Sequence, residues 1–293
     1  MSRLFTIGLL TFLMAMTACN LQQEIDLNLP EYESEVVVES YLRPGFPLTA
    51  VLTESVSFFD TLELRYVRNA TVVMDYGDRQ DTLRPLEIDI QSQLLSQLID
   101  TALLIRFGPL FGESLVIYTS FSTVPARYDL TYRLLVITEE GDTLRAQTNV
   151  PAPVEYQDHT YRFNDDGKAI FISTVQDDPN QADYYRRLLQ RRVYRDSMWS
   201  TRTDQDFLLD DAITNGELIT FGSGFDYEVG DTLISGLYHT TRDYVRFAET
   251  RDAAIAASLS PFSQPAILHT NIEGGQGLFA GLTLTRDTVV IEN

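Results

Sequence analysis

The chain has 293 residues, with 42 acidic against 22 basic side chains, a formal net charge of −20 and a single cysteine. Such a surface repels phosphate backbones and anionic headgroups, which excludes nucleic acid as a partner, and a lone cysteine excludes an internal disulfide. A hydrophobic content of 44% is too high for a wholly disordered chain.

Residues 1–18 carry one charge, Arg3, followed by an apolar run from Leu4 to Met16 broken only by Thr6, Gly8 and Thr11. The run has the length of a signal-peptide core and falls short of the roughly 20 residues that cross a bilayer. Small residues Thr17 and Ala18 lead to Cys19, and Met16-Thr17-Ala18-Cys19 resembles a bacterial lipobox, with Met where Leu is usual. Cys19 is therefore the expected lipidation site and the start of the mature chain. Two or more acyl chains anchor stably at roughly 0.8 kcal/mol per buried methylene. Asn20 rather than Asp follows the cysteine, so the inner-membrane retention signal of enterobacterial lipoproteins is missing. The expected location is the outer membrane, with the face unassigned. Residues 19–30 read as a polar tether.

From residue 31 onward, period-two segments dominate. Glu35 to Leu42 is rich in β-branched and aromatic residues, Arg43-Pro44-Gly45 makes a turn, and Phe46 to Thr53 resumes an extended pattern. Thr71 to Tyr76 runs into a Gly77-Asp78 turn, with Asp81-Thr82-Leu83 returning. In Ile90–Phe107, Leu94, Leu95, Leu98, Ile99, Ala102 and Leu103 fall at helical spacing, which predicts an inserted amphipathic helix; the alternative is a loop over a sandwich end. Tyr132 to Thr138 and Thr143 to Val150 form the clearest hairpin. The stretch Tyr128 to Leu134 resembles the start of strand F in immunoglobulin-like sandwiches, where a tyrosine hydroxyl reaches back to the backbone; Tyr132 takes that structural role. Residues 31–150 are thus expected to form an immunoglobulin-like β-sandwich. Pro151 and Pro153 disfavour both helix and interior strand, so a domain boundary is placed at 151–154.

Residues 155–293 read as a second β-rich domain with one or two helices. Ala169 to Val175 is a strand, Tyr184 to Tyr194 a strand or helix, Thr240 to Ser258 a helix, and Thr283 to Glu292 a closing strand. Gly275-x-Gly277-x-x-Ala280 matches the dinucleotide fingerprint in form. It lacks the following helix and the acid about 20 residues on, because β alternation runs to the end of the chain. Gly274, Gly275 and Gly277 are therefore read as structural, in a turn packed close to other backbone, with Leu278 and Phe279 filling the second domain's core. No nucleotide or other cofactor is expected.

Asp165-Asp166-Gly167, Asp177-Asp178-Pro179 and Asp210-Asp211 do not fit the twelve-residue calcium loop, and read as turn and cap residues. Calcium held by carboxylates from separate loops stays open. His159, His239 and His269 are isolated and lack metal-ligand spacing, and Gly222-Ser223-Gly224 is not a nucleophile elbow. No catalytic or metal site is assigned. A carboxylate-based hydrolase such as a glycosidase needs only two acids at the right separation, and nothing in the sequence selects a pair.

Cys19 to Leu42 (CNLQQEIDLNLPEYESEVVVESYL) resembles the start of the Bacteroidota lipoproteins grouped as domain-of-unknown-function family 4249. Thr143 to Val154, Asp177-Asp178-Pro179 with Asp183-Tyr184-Tyr185-Arg186, and Pro261 to Pro265 leading to Asn271–Phe279 are similar to further segments of that family. Ser40 in place of Gly, Asp183 in place of Asn and the Ile90–Phe107 insertion depart from it. Members are commonly encoded beside TonB-dependent outer-membrane receptors, so the resemblance implies an accessory role in uptake with such a receptor as partner, and with no catalytic motif selected that role is expected to be non-catalytic. The ligand is unassigned. The contrasting expectations are a carboxylate-based hydrolase and a structural or adhesive sandwich protein.

Overall fold

The computed structural model describes residues 32–56, 64–89, 114–195, 198–210, 215–258 and 267–293, and Ser34–Asn293 forms one compact unit. The leader, Cys19, the tether to residue 30 and the expected helix at Ile90–Phe107 lie outside the described residues. The protein is mainly β.

The first half runs β1 (Val36–Leu42), β2 (Pro47–Glu54), β3 (Arg65–Tyr66), β4 (Thr71–Tyr76), β5 (Arg79–Asp89), β6 (Ser114–Thr123), β7 (Thr131–Ile137) and β8 (Thr143–Asn149). Buried and exposed residues alternate along β4, β7 and β8, as expected where one face of an antiparallel sheet meets a core and the other meets water. β5 belongs to both layers. Its first residues, to Leu83, pair with β4, and from Arg84 onward it pairs with β6. Pro85, which cannot donate to a ladder, stands just past the crossing. The sheet thereby folds over itself, with Val72, Met74, Leu134, Val136 and Leu144 of one layer packed against Val38, Leu48 and Leu52 of the other. The open side is stapled by Arg145 of β8 and Glu273, which exchange backbone hydrogen bonds of 3.0 and 2.8 Å.

One expectation fails here. The Tyr132 hydroxyl is buried and reaches no hydrogen-bond partner, so it makes no tyrosine-corner bond to the backbone. Its ring instead stacks on Tyr76, with centroids 5.5 Å apart, inside the core. Burial pushes the phenol up to about 12. β4 pairs directly with β7 (Tyr76 opposite Tyr132), and this places the two rings on one face.

The second half runs β9 (Tyr156–Phe163), β10 (Ala169–Gln176), β11 (Tyr184–Arg195), β12 (Met198–Asp210), β13 (Leu218–Tyr227), β14 (Thr232–Thr240), helix α1 (Arg242–Ser258) and β15 (Gln276–Val290). Among the described residues there is one large sheet, ordered β12-β11-β14-β15-β1-β2-β6-β5-β4-β7-β8 with β3 beside β2, and one small sheet, β13-β10-β9. β15 pairs in parallel with β1, so the last strand joins the first in the middle of the large sheet. The two faces of β15 serve different cores, as its period of two requires. Leu278, Ala280 and Leu282 meet Tyr244, Val245 and Phe247 of α1. Phe279 points the other way into the core of the first half, which corrects the expectation that both Leu278 and Phe279 fill the second half's core.

At the Pro151–Pro153 segment the core changes hands. Val150 is buried in the first half's cluster, and Val154 packs on the cluster of Val175, Tyr185, Ile219 and Leu237 between the small and large sheets. Neither the large sheet nor the compact unit breaks there.

Candidate ligand pocket

Alternation along β1 sends Val38, Ser40 and Leu42 into the first core and leaves Val37, Glu39 and Tyr41 on the opposite face. That face is roofed by α1. Phe247, Arg251 and Ile255 lie at i, i+4 and i+8, one above the other on a helix, and line up over the strands. Val51 and Thr53 of β2, Leu64, Leu268, Gln276 and Gly277 complete the lining of a pocket of about 350 Å³. Its walls are mainly hydrocarbon, and among the described residues the lining side chains able to carry charge are Glu39 and Arg251.

Glu39 is half-buried and accepts a 3.1 Å hydrogen bond from the Tyr41 hydroxyl. Burial raises its carboxyl above the ordinary 4.5, with the Tyr41 hydrogen bond and the Arg251 charge pulling partly back. Burial and the neighbouring Glu39 likewise drive the Tyr41 phenol well upward. Tyr41 packs edge-on against Tyr244, centroids 6.2 Å apart. The Tyr244 hydroxyl accepts 2.8 Å from Arg186 Nη1, and Arg186 holds both carboxylate oxygens of Asp206 at 2.7 Å. Glu39 of the pocket is thus linked through Tyr41, Tyr244 of α1 and Arg186 to the β11–β12 hairpin.

Gly277 gives this pocket part of its floor. It has φ +113°, and a Cβ there would lie 2.0 Å from the Val38 carbonyl oxygen. A Cβ on Gly275 would meet Leu144 and the Val36 carbonyl oxygen, and Gly274, at φ +82°, packs against the Thr143 carbonyl. These glycines open a strand and are followed by no helix.

A larger and more open cleft, about 620 Å³, lies over β7 and β8 and is lined by Asp75, Arg133, Arg145, Gln147, Asp243 and Glu273 among others. Its lining is mixed, with Leu134, Leu135 and Ala146 beside the charged groups, and it is more open than the pocket under α1. The pocket under α1 has the composition of a small-molecule site, apolar walls with a few convergent polar groups.

The three histidines lie apart, each facing its own aspartate: His159 with Asp287, His239 with Asp183, and His269 with Asp243. Among the described residues no group of three or more His, Cys, Asp or Glu side chains is placed to hold a metal ion. Asp177 and Asp183 are buried, and both hydrogen-bond to the Tyr185 hydroxyl, at 2.6 and 3.2 Å. The Asp-Asp-Pro and Tyr-Tyr-Arg stretches therefore meet in the interior. Sequence reading missed Glu39 and Tyr41. The available signal was a carboxylate on the same strand face as Val37 and Tyr41, within an otherwise apolar run.

The fold and the pocket define a mainly β protein with an apolar cavity beneath a helix. The chain matches the family described as Domain of unknown function (DUF4249) over residues 22–288, and it belongs to that family. No curated protein matches it. Among solved structures, a chain described as a cytokine receptor complex, crystal form 1A, aligns at 10% identity over 86% of this chain and 95% of that one. The TM-score of that superposition is 0.24, which carries no argument.

Proposed function

We propose that the protein is a lipid-anchored accessory protein of the outer membrane that captures a small ligand and works with a TonB-dependent transporter in its uptake. The observation that carries the capture step is the pocket under α1: apolar walls, one carboxyl that burial keeps toward its neutral form, and one guanidinium at the same site. This arrangement suits a ligand with a hydrocarbon body and a polar end. A glycoside hydrolase needs two carboxyl groups flanking the bond to be cut, and among the described residues of the lining Glu39 is the one carboxylate. Anchoring rests on the lipobox-like Met16-Thr17-Ala18-Cys19. Among the described residues no helix is long and apolar enough to cross a membrane.

Cross-linking and affinity capture of the tagged full chain from native membranes test the reading. A TonB-dependent receptor should be recovered with the wild type, and recovery should fall in Cys19→Ala, which should also leave carbonate-washed membranes. Capture without any such receptor, or unchanged membrane retention of Cys19→Ala, would count against it.

A further inference from the structure

The interior of the second half holds a cation that, among the described residues, pairs with no carboxylate. Arg187 of β11 is 1% exposed and among the largest fully buried side chains. Its Nη1 donates to the carbonyl oxygens of Leu188 and Gly236, at 2.8 and 3.3 Å, and its Nη2 donates to Ser173 Oγ at 3.1 Å. All of these acceptors are neutral. Its Nε–H has no acceptor. The guanidinium carbon lies 5.9 Å from the Tyr156 ring centre and 5.7 Å from that of Phe221. Burial lowers its affinity for the proton, and the groups that oppose this are the phenols of Tyr156 and Tyr227. A buried charge whose partners are all neutral is costly.

Other unsatisfied polar atoms gather beside it. Tyr156 Oη, Ser235 Oγ and His159 Nδ1 are also buried without a hydrogen-bond partner. Strand register explains the gathering. Arg187 pairs with Leu237, and Leu189 pairs with Ser235, so Arg187 and Ser235 share a face of the large sheet and sit diagonally. Asp287 of β15 pairs with Ser235 on that same face and binds His159 Nε2 at 3.0 Å, which brings β9 over it. His159 packs on Tyr156, with ring centres 4.5 Å apart, and pairs with Ser173, the residue that holds Nη2 of Arg187. The Arg187 charge and the Ser235 hydroxyl, which lies close beside Tyr156 Oη, both favour ionisation of the Tyr156 hydroxyl, while burial and the Asp287 carboxylate oppose it.

We propose that Arg187, Tyr156 and Ser235 form an internal binding site for one small inorganic anion of halide size, set between the small sheet and the β11-β14-β15 face. Arg187 Nε–H and the two hydroxyls supply the donors, and the anion supplies the missing negative charge. His159, with Nε2 committed to Asp287, closes the site toward the surface. The anion is a structural ligand that ties the two sheets together, and the site is separate from the pocket under α1.

The test uses the full chain in detergent, with chloride or bromide exchanged for gluconate at constant ionic strength. Melting temperature should rise saturably with the halide, and crystals soaked in bromide should show an anomalous peak within hydrogen-bond distance of Arg187 Nε. Tyr156→Phe and Ser235→Ala each remove one donor while preserving packing, and each should raise the half-saturating halide concentration ~10-fold. Arg187→Met should abolish the response; if that variant does not fold, the two hydroxyl variants decide. A wild type indifferent to halide, a peak replaced by water alone, or a halide response unchanged in both hydroxyl variants would each overturn the proposal.

Discussion

His239 Nε2 lies 2.9 Å from Asp183 Oδ1, and both side chains are buried. The other ring nitrogen, Nδ1, is 2.6 Å from the carbonyl oxygen of Ala152, between the two prolines that join the halves of the chain. His239 thus fastens the connecting segment to the β11–β14 pair. Burial by itself would raise the Asp183 carboxyl, but the hydrogen bond and charge of His239, with further hydrogen bonds from Gln181 and Tyr185, outweigh it and hold Asp183 below its ordinary 3.8. A depressed carboxylate contributes stability that is present above the unfolded value and is lost as pH falls through the folded one. His239→Ala should cost about 3 kcal/mol or more, because it strands a buried carboxylate. In urea titrations from pH 7 down to 2, the variant should lose less stability than the wild type below about pH 4. Parallel curves would refute the coupling.

Gly277 tests the parallel joint between the first and last strands. With φ +113° and Val38 O at 2.0 Å from the position of a Cβ, even Gly277→Ala must displace β1 or β15. The expected loss is at least ~3 kcal/mol, above the usual 1–3 for a strained residue, since strain and a backbone clash act together. Chemical denaturation measures it; a loss below about 1 kcal/mol would contradict the close approach. Calorimetric titration of the wild type with NAD, FAD and ATP should show no saturable heat.

Glu39→Gln should stabilise the protein at neutral pH. The folded state raises the carboxyl above 4.5, so folding takes up a proton between the unfolded and folded values. The associated stability is fully present below about 4.5 and is lost as pH rises through the folded value. Glutamine keeps the size and the acceptor for Tyr41 without the charge. Melting curves from pH 4 to 8 should therefore diverge, with the variant increasingly the more stable toward pH 8. The reverse order would show that Glu39 gains more from Arg251 than it loses to burial.

Asp206→Asn separates the hairpin tie from the pocket. Arg186 is buried, while Asp206 is about one-third exposed, so solvent screens part of their attraction. The loss should be about 1–3 kcal/mol, below the 3–5 of a fully buried pair. Asp206→Asn/Tyr244→Phe should cost less than the sum of the single changes, because both partners hold one guanidinium. Strict additivity in a double-mutant cycle would argue against a shared network.

Local periodicity carried the reading of several elements. The β7–β8 hairpin was expected at Tyr132–Thr138 and Thr143–Val150 and is observed at Thr131–Ile137 and Thr143–Asn149. The helix expected from Thr240 runs from Arg242 to Ser258, because Tyr244, Phe247 and Ala248 recur at helical spacing whatever they pack against. β9 and β12 went unread: their faces are largely exposed or polar, so no alternation marks them. Family membership was also legible, from stretches such as Asp-Asp-Pro and Asn-Ile-Glu-Gly-Gly-Gln-Gly.

Alternation along β15 shows that Leu278 and Phe279 face opposite ways, but not which core receives each. That was settled when β15 paired with β1, through contacts such as Gly277 with Val38, more than 200 residues apart in the chain. Pairing at that distance follows from total burial and from backbone clearance at Gly277, neither of which is a local property. The same holds for Glu39, an ordinary strand carboxylate until α1 covers it, and for Arg187, one arginine among five in YYRRLLQRRVYR until β9 and β10 close over it. Charge type is written in the chain; the dielectric and the partners that decide what a charge does arise only when distant strands pack.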